Sequence, residues 1–199
     1  MMTFADYMER SLYGPGGYYS SGTAKSGKSG DYFTAPDVGP LFGRLLSEIF
    51  QTWQSKLQSK TFALVEAGAG EGRLAADILT THPGPYFAIE KSASRLVRLR
   101  ALQSRFHSLE VYPDLTSIPS GPVEGVLFGN ELIDAFSVHR VRMRKGQLQE
   151  AYVEDSLVWG VPSTPKLADY LDRLKLTLPE DYETEINLAM ADWFRSAAF

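Results

Sequence analysis

The sequence has 199 residues, a formal net charge of −4 and no cysteine, and 44% of its residues are hydrophobic. This composition is typical of one globular domain with at most a small appendage, and it excludes a collagen, a coiled coil and a disordered tail. Without cysteine there is no disulfide framework, thiolate zinc site or cysteine nucleophile. No apolar run reaches the roughly 18 residues of a membrane helix and no signal peptide is visible, so we expect a cytoplasmic protein without membrane insertion. The acidic balance argues against a nucleic-acid partner.

Residues 1–58 predict an N-terminal cap that contains two helices. The first helix spans residues 1–13, and the second spans residues 37–57 with Asp37 as its N-cap. Apolar side chains recur every four residues along the second helix, which predicts a face buried in the core. These side chains are Leu41, Leu45, Ile49 and Trp53, and Phe42, Leu46 and Phe50 reinforce the apolar face.

Residues 14–30 separate the two helices and hold six glycines and four serines, too many for a regular element. One interpretation is a flexible loop. The other is a loop that closes over a ligand, because aromatic side chains in or next to the segment are available to pack on a bound molecule. They are Tyr18, Tyr19, Tyr32 and Phe33.

Residues 59–137 predict the core of an α/β fold, because short apolar runs alternate with amphipathic stretches. The runs predict strands at 62–67, 86–90, 109–112 and 125–130. The stretches predict helices at 73–80 and 92–106. Strand–helix–strand order of this kind favours a parallel sheet with right-handed crossovers.

Residues 138–199 predict a β-hairpin followed by less regular chain. The hairpin comprises residues 139–154, with Lys145-Gly146 as its turn. Residues 155–182 are interrupted by prolines and are predicted to be loop, and residues 183–199 are predicted to be helical.

The predicted helix at 92–106 and the residue before it carry a basic stripe without an acidic residue. Its members are Lys91, Arg95, Arg98 and Arg105. The stripe either binds phosphate or forms a solvated outer face, and the acidic charge of the whole chain favours the second interpretation.

The first predicted strand runs into Glu66-Ala67-Gly68-Ala69-Gly70-Glu71-Gly72, an E-x-G-x-G-x-G turn before a helix. Glycines suit a tight turn that a ligand approaches, and the helix N-terminus offers free N–H groups. A dinucleotide site has the spacing G-x-G-x-x-G, whereas the third glycine here comes one residue early. This spacing favours S-adenosylmethionine (SAM), with Glu66, Gly68, Gly70 and Gly72 as cofactor-binding residues. The alternative is a purely structural glycine turn.

Polar residues also follow the other predicted strands. Glu90 ends the second strand at the carboxyl edge, where an acid accepts hydrogen bonds from a ribose diol. Asp114 follows the third strand and is either an adenine contact or a turn aspartate. Asn130, Glu131 and Asp134 follow the fourth strand, where a transferred methyl group would lie. The alternative role for Asp134 is a helix cap.

Taken together, these motifs resemble the MidA-type SAM-dependent methyltransferases, a family that includes an arginine-methylating enzyme of mitochondrial complex I assembly. The matching residues spread over nearly the whole chain in family order. They are Tyr7-Met8, Gly17-Tyr18-Tyr19, Gly30 to Pro36, Phe42-Gly43, Glu66 to Gly72, Glu90 with Ser92, Asn130-Glu131 with Asp134-Ala135, and Glu185 to Leu188.

The resemblance implies a Rossmann-like class I methyltransferase sheet, with an N-terminal helical and glycine-rich cap and a β-hairpin insertion. It also makes the glycine-rich segment part of the site. The residues it implies are Glu131 and Asp134 for catalysis with Asn130 positioning the acceptor or cofactor, Thr34 beside the cofactor, and Tyr18, Tyr19 and Asp31 beside the substrate. The implied substrate is an arginine of a protein, such as a complex I subunit, and an oligomer is compatible with the family.

Family members continue past the length of this chain and supply the last strands of a seven-stranded sheet. We find candidates for strands one to four only, and we therefore expect a C-terminally truncated chain. Two other functions stay open: a catalytically silent SAM-fold module that binds a respiratory-complex subunit, and an NAD-dependent oxidoreductase, against which the glycine spacing argues.

Overall fold

The computed structural model describes residues 1–22, 27, 30–119 and 124–197. These residues divide into two compact units. Tyr18–Leu132 form the first, which we call the parallel-sheet unit, and Met1–Gly17 together with the described residues from Ile133 onward form the second, the antiparallel-sheet unit. None of the described helices is long and apolar enough to cross a membrane.

Helices and strands alternate along much of the described chain. In chain order they are β1 Met2–Thr3, α1 Phe4–Tyr13, α2 Ala35–Val38, α3 Leu41–Leu57, β2 Ala63–Ala67, α4 Arg73–Thr81, β3 Tyr86–Ile89, α5 Ala93–Ala101, β4 Leu109–Tyr112, β5 Gly125–Phe128, β6 His139–Arg144, β7 Gln147–Val153, β8 Leu157–Gly160, α6 Lys166–Arg173, β9 Glu183–Ile186 and α7 Leu188–Ala197. Short 3₁₀ turns lie at Leu102–Ser104, Leu115–Ser117 and Ile133–Ala135.

The parallel-sheet unit contains the predicted sheet. Its four strands are all parallel and follow the order β4-β3-β2-β5. Each strand lies within one or two residues of its predicted position, which confirms the α/β fold class. All five residues of β2 are buried, because this strand has a neighbour on both sides and is covered on both faces. The core around it includes Phe50, Leu64, Ile78 and Tyr86.

Helix α3 packs on α4 through small residues. A Cβ atom built on Gly43 would lie 2.5 Å from the Cβ of Asp77, so only glycine permits this approach. One turn later, Ser47 is buried and its hydroxyl accepts a hydrogen bond from the Thr81 hydroxyl at 2.8 Å. Phe50 completes this face and contacts the ring of Phe128, with 5.1 Å between the ring centroids. The buried face of α3 is therefore Gly43, Ser47 and Phe50.

The predicted core face of this helix is confirmed for Phe50, which is buried, and for Phe42 and Leu46, which pack on the core, but it is wrong for the spacing-four stripe. Leu41, Leu45, Ile49 and Trp53 retain 68%, 50%, 43% and 44% of their accessible surface. The periodicity correctly places these four side chains on one face, but the close approach of α4 selects the adjacent face with Gly43 for burial. The stripe is an exposed apolar face of the described structure.

The start of this helix also differs from the prediction. Asp37 does not cap it, because residues 35–38 form the separate short helix α2 and Pro40 occupies the N-cap position of α3. Asp37 instead accepts hydrogen bonds from the backbone N–H and the hydroxyl of Thr34, at 2.9 and 3.0 Å. It also pairs with Arg73, the first residue of α4.

The antiparallel-sheet unit contains the predicted hairpin of β6 and β7, with its turn at Lys145-Gly146. The sheet order is β1-β7-β6-β9. Strand β8 pairs with residues 150–153 of β7. Within it, the buried Glu150 carboxylate lies 2.7 Å from His139 Nδ1. Helix α6 packs Leu167 and Leu171 on Val141.

Two predictions for this region are wrong. Residues 155–182 are not all loop, because they contain β8 and α6. Residues 183–199 are not helical throughout, because Glu183–Ile186 form β9 on the free edge of β6, with Ile186 opposite His139. Its alternation of exposed and buried residues suits a strand with one covered face. Helix α7 follows, and residues 198–199 of the predicted helix lie outside the described residues.

The division into units differs from the predicted boundaries after residues 58 and 137. Met2–Thr3 pair with Tyr152–Val153, so the first 17 residues join the antiparallel-sheet unit. Residues 18–58 join the parallel-sheet unit instead, because α3 packs on α4 and on the sheet. Long-range pairing therefore splits the predicted N-terminal cap.

Neighbouring residues of α3 provide a matched test of which face is buried. We expect Phe50→Ala to lower the free energy of unfolding by about 3–5 kcal/mol, the usual cost of an aromatic cavity. Ile49→Ala should change it by less than about 1 kcal/mol, because that side chain already contacts solvent. Urea denaturation of both variants measures the difference, and equal losses would contradict the assignment.

Candidate functional site

All four strands of the parallel sheet end at one edge. The predicted site residues that follow them there are Gly68, Gly70, Gly72, Glu90, Asp114, Asn130 and Glu131. The turns are joined by backbone bonds: Gly68 N–H and Ala69 N–H donate to the Ile89 carbonyl, and Glu90 N–H donates to the Tyr112 carbonyl. The chain goes from β2 to β3 and β4 on one side, and returns to place β5 on the other side of β2. This reversal of strand order is where parallel sheets bind ligands.

The three glycines of the turn have positive φ angles of 73°, 60° and 81°, but they serve different purposes. A Cβ atom on Gly68 would lie 2.8 Å from Leu132, and one on Gly72 would lie 2.5 Å from Leu99 and Leu102. A Cβ atom on Gly70 would meet nothing within 4 Å among the described residues. Gly68 and Gly72 therefore permit close packing, whereas Gly70 faces open space that a ligand can enter.

Glu90 fixes the geometry beside this space. Its carboxylate accepts the Gly70 N–H at 2.9 Å through Oε2 and the Ser92 N–H at 2.7 Å through Oε1. The residue is only 6% exposed, and burial raises the pKa of this carboxyl, while the Ser92 and Gly70 bonds and the nearby Arg95 oppose the rise. The glycine turn and the end of β3 are thus held together by one acidic side chain.

Glu66 lies deeper, within the sheet. It is buried, and its Oε2 accepts the Tyr86 hydroxyl at 2.6 Å. Burial raises the pKa of Glu66 to about 8, against the bond from Tyr86, so burial favours the protonated form of this side chain. One oxygen of Glu66 is therefore bonded to Tyr86, and its contact with the cofactor stays a prediction.

Two further residues predicted beside the cofactor serve local turns. Asp114 is exposed, and its Oδ1 accepts the Ser117 N–H and the hydroxyls of Thr116 and Ser117. These bonds, led by that from Thr116, lower the pKa of Asp114 and support the turn-aspartate interpretation. Thr34 caps α2 through Asp37. Both residues lie in the parallel-sheet unit, and their contact with the cofactor stays a prediction.

The described part of the glycine-rich segment is attached to the same edge. We call Tyr18–Gly22, Gly27 and Gly30–Thr34 the tyrosine segment. The Tyr18 hydroxyl donates to Asp31 Oδ2 at 3.0 Å, and burial followed by this bond raises the pKa of Tyr18 to about 12. Tyr18 also stacks edge to face on Tyr19, with 5.0 Å between the ring centroids. The structure thus brings together Tyr18, Tyr19 and Asp31, while residues 23–26 and 28–29 of the predicted loop lie outside the described residues.

The residues after β5 fall into different units. Asn130 is half-buried and Glu131 is exposed, and both belong to the parallel-sheet unit. Glu131 has a left-handed φ of 51°, an uncommon conformation for a residue with a side chain that is found at functional sites. Asp134 belongs to the antiparallel-sheet unit. It lies inside the 3₁₀ turn Ile133–Ala135, so the alternative of a helix cap is wrong.

The basic stripe contains a site residue that sequence reasoning missed. Arg95 contacts Tyr19 and Tyr32, Arg98 pairs with Glu71, and Arg105 stacks on Phe106. The solvated-face interpretation is therefore wrong for Arg95. The available signal was its position in the first turn of the helix that follows Glu90. No group of three or more His, Asp or Glu side chains in the described ranges is arranged to hold a metal ion.

Comparison with known proteins identifies the class. A family model described as "Putative S-adenosyl-L-methionine-dependent methyltransferase" matches residues 44–198. The parallel sheet with its glycine turn and acidic residue is the fold of that class. The chain belongs to this family of SAM-dependent methyltransferases, and SAM is the cofactor of the family. The membership confirms the resemblance that the sequence motifs indicate.

Individual relatives refine this placement. The chain is 25% identical over 185 residues to the rat (Rattus norvegicus) protein named "Protein arginine methyltransferase NDUFAF7, mitochondrial", covering 77% of this chain and 42% of that protein. The human protein of the same name matches with the same identity and coverage. A crystal structure of an uncharacterized protein from Burkholderia thailandensis is 26% identical with a TM-score of 0.74, over 98% of this chain and 53% of that one. The chain thus spans about half the length of these relatives.

Gly70→Val tests whether the open space at the turn binds the cofactor. A branched side chain fills that space and resists the left-handed backbone, so we expect the affinity for SAM to fall by tenfold or more, about 1.4 kcal/mol. Calorimetric titration with SAM measures it.

Gly146→Val is the matched control, because Gly146 has a similar φ of 68° and equally open surroundings in the turn between β6 and β7. We expect this variant to lose stability through the same backbone strain and to bind SAM like the parent. Equal affinities of the two variants would remove Gly70 from the cofactor site.

Glu66→Gln tests the raised pKa of the buried acid. The pKa of Glu66 rises from an ordinary value of 4.5 to about 8 on folding, so its stabilising contribution is complete below pH 4.5 and is lost as the pH rises toward 8. The glutamine amide of the variant does not titrate, so the variant lacks this pH dependence of stability. Between pH 5 and 8 we expect the parent to lose more stability than the variant, by on the order of 2–4 kcal/mol. Parallel stability curves from denaturation at each pH would contradict the shifted pKa.

Proposed function

We propose that this chain transfers a methyl group from SAM to the side chain of an arginine in a protein substrate. The observation that carries the proposal is one sheet edge with a binding part and a reactive part. The open space at Gly70 beside the buried Glu90 is the binding part. In our proposal the reactive part is the exposed carboxylate of Glu131, three residues after the adjacent strand β5. The names of the rat and human relatives support arginine as the acceptor.

The residues at the glycine turn fit the cofactor. Gly70 leaves room for a ligand against the backbone, and Glu90 retains acceptor capacity for a ribose diol, since each of its oxygens receives one backbone bond. Bound SAM supplies an electrophilic methyl group on a sulfonium. The protein's contribution is then to align the acceptor with it and to exclude competing nucleophiles.

The carboxylates after β5 suit a guanidinium acceptor. A guanidinium is cationic and a poor nucleophile, so a carboxylate that accepts its N–H groups orients the attacking nitrogen. The same carboxylate takes up the proton lost on transfer. Glu131 has this role in our proposal, and Asn130 positions the acceptor or the cofactor through its amide. The family resemblance adds Asp134 as a second candidate carboxylate, which the substitutions below test separately.

The substrate protein follows from the family resemblance. We take a respiratory complex I subunit with an arginine acceptor as the first substrate to test. A catalytically silent module would bind the subunit without modifying it, and an NAD-dependent oxidoreductase would bind NAD in place of SAM. Calorimetry with SAM and NAD, followed by transfer of a tritiated methyl group to the subunit and to its arginine-to-lysine variant, separates the three functions.

Charge-removing substitutions separate chemistry from cofactor binding. We expect Glu131→Gln and Asp134→Asn to lower single-turnover methylation by roughly 10²–10⁴, the span of acid–base and orienting groups. Both retain side-chain shape, so the affinity for SAM should stay within a few-fold. Rapid-quench assays and calorimetry on the same preparations measure both quantities.

Glu48→Gln is the control for a general effect of charge, because Glu48 is exposed on α3 in the same unit as Glu131. We expect it to leave both quantities unchanged. If turnover of the two site variants matches that of Glu48→Gln, these carboxylates have no part in the mechanism. If SAM binding is lost instead, they belong to the cofactor site.

A further inference from the structure

The tyrosine segment is held against the end of β3 by bonds from the chain that follows Glu90. The Ser92 hydroxyl donates to the Tyr19 carbonyl at 2.7 Å. Ser92 is buried, and its own backbone N–H donates to the Glu90 carboxylate. The backbone of Tyr19 is therefore linked, through Ser92, to the acid beside the glycine turn.

Arg95 holds the side chains of the same segment. Its guanidinium carbon lies 4.7 Å from the centroid of the Tyr19 ring, a cation–π geometry. Its Nη2 donates to the Tyr32 hydroxyl at 2.7 Å. One side chain thus joins two aromatic residues from the two ends of the tyrosine segment, and its planar fork suits both a stacked and a hydrogen-bonded contact.

A second arginine holds the chain just after the tyrosine segment. Arg73 pairs with Asp37, whose side chain is 2% exposed and whose other oxygen accepts the Thr34 N–H and hydroxyl. Arg73 directly follows Gly72, the last glycine of the turn, and Arg95 follows β3. The described parts of the segment are therefore attached both to the helix after the glycine turn and to the helix after Glu90.

We propose that Arg95 is a positioning residue that fixes Tyr19 and Tyr32 beside the Glu90 end of the cofactor site and thereby slows the dissociation of SAM. The inference rests on the proposed function, because it assigns SAM to the space at Gly70. Arg95 acts through the two tyrosines and through its charge near Glu90. The other two arginines of the basic stripe have other partners, since Arg98 pairs with Glu71 and Arg105 stacks on Phe106.

Three variants test this role in the whole chain. Arg95→Met removes both contacts, Tyr32→Phe removes only the hydroxyl that accepts from Arg95, and Arg100→Met removes an exposed arginine of the same helix. Stopped-flow displacement of a fluorescent SAM analogue by excess SAM measures the dissociation rate. NMR hydrogen exchange at the Tyr19 and Tyr32 amides, without cofactor, reports the attachment of the segment.

We expect Arg95→Met to raise the dissociation rate about tenfold and Tyr32→Phe to raise it less. The double variant should match Arg95→Met, because two residues that act through one contact are not additive. Amide exchange at Tyr19 and Tyr32 should accelerate in Arg95→Met, while Arg100→Met should resemble the parent in both measurements. Arg95→Lys, which keeps the charge without the planar fork, should lie between the parent and Arg95→Met.

The outcomes separate this inference from the function on which it rests. If the parent binds SAM and Arg95→Met releases it at the parental rate, the positioning role is wrong and the proposed function stands. If Arg95→Met and Arg100→Met accelerate release equally, the effect is one of helix charge and the role is again wrong. If the parent does not bind SAM, the proposed function fails, and the inference fails with it even when amide exchange changes as expected.

Discussion

The carboxylate of Glu90 joins the two turns on which the carboxyl edge of the parallel sheet depends. It accepts one backbone N–H from the glycine turn after β2 and one from the start of α5 after β3. A carboxylate that is nearly excluded from water requires such donors, because an unpaired buried charge is costly. Removing it would leave two N–H groups without their partner, so the geometry of the edge and its charge depend on the same side chain.

Glu66 lies close to Glu90, within β2. Two carboxylates close to one another in a buried setting disfavour simultaneous ionisation. Burial and the proximity of Glu90 both raise the pKa of Glu66, and Tyr86 bonds to it within the sheet. Glu66 is thus held within the sheet by Tyr86, while the bonds of Glu90 join the turns at the carboxyl edge.

The parallel sheet and the glycine turn could be predicted from the sequence because their signals are local. Apolar runs of four to six residues, each followed by a glycine or an acid, identify β2, β3 and β5, and the spacing of Gly68, Gly70 and Gly72 separates SAM from a dinucleotide. The apolar periodicity of a helix does not show which element packs against which of its faces. The stripe from Leu41 to Trp53 is a real helical face, but Gly43 permits α4 to approach the neighbouring face instead. Local sequence patterns also cannot predict contacts between distant residues. Glu183–Ile186 form a strand because they pair with the free edge of β6. The contacts of Arg95 with Tyr19 and Tyr32 join residues more than 60 positions apart in the sequence.

The arrangement of the units along the chain has a consequence for the order of folding during synthesis. The parallel-sheet unit is one uninterrupted stretch, whereas the antiparallel-sheet unit is built from one stretch before it and one after it. Met2–Thr3 pair with Tyr152–Val153, so about 150 residues separate the partners. A ribosome that adds about 5–20 residues per second needs on the order of ten seconds to supply them. All four parallel strands leave the ribosome in that interval. Met2 and Thr3 are synthesised before any of these strands, yet they are among the last residues to form their native contacts.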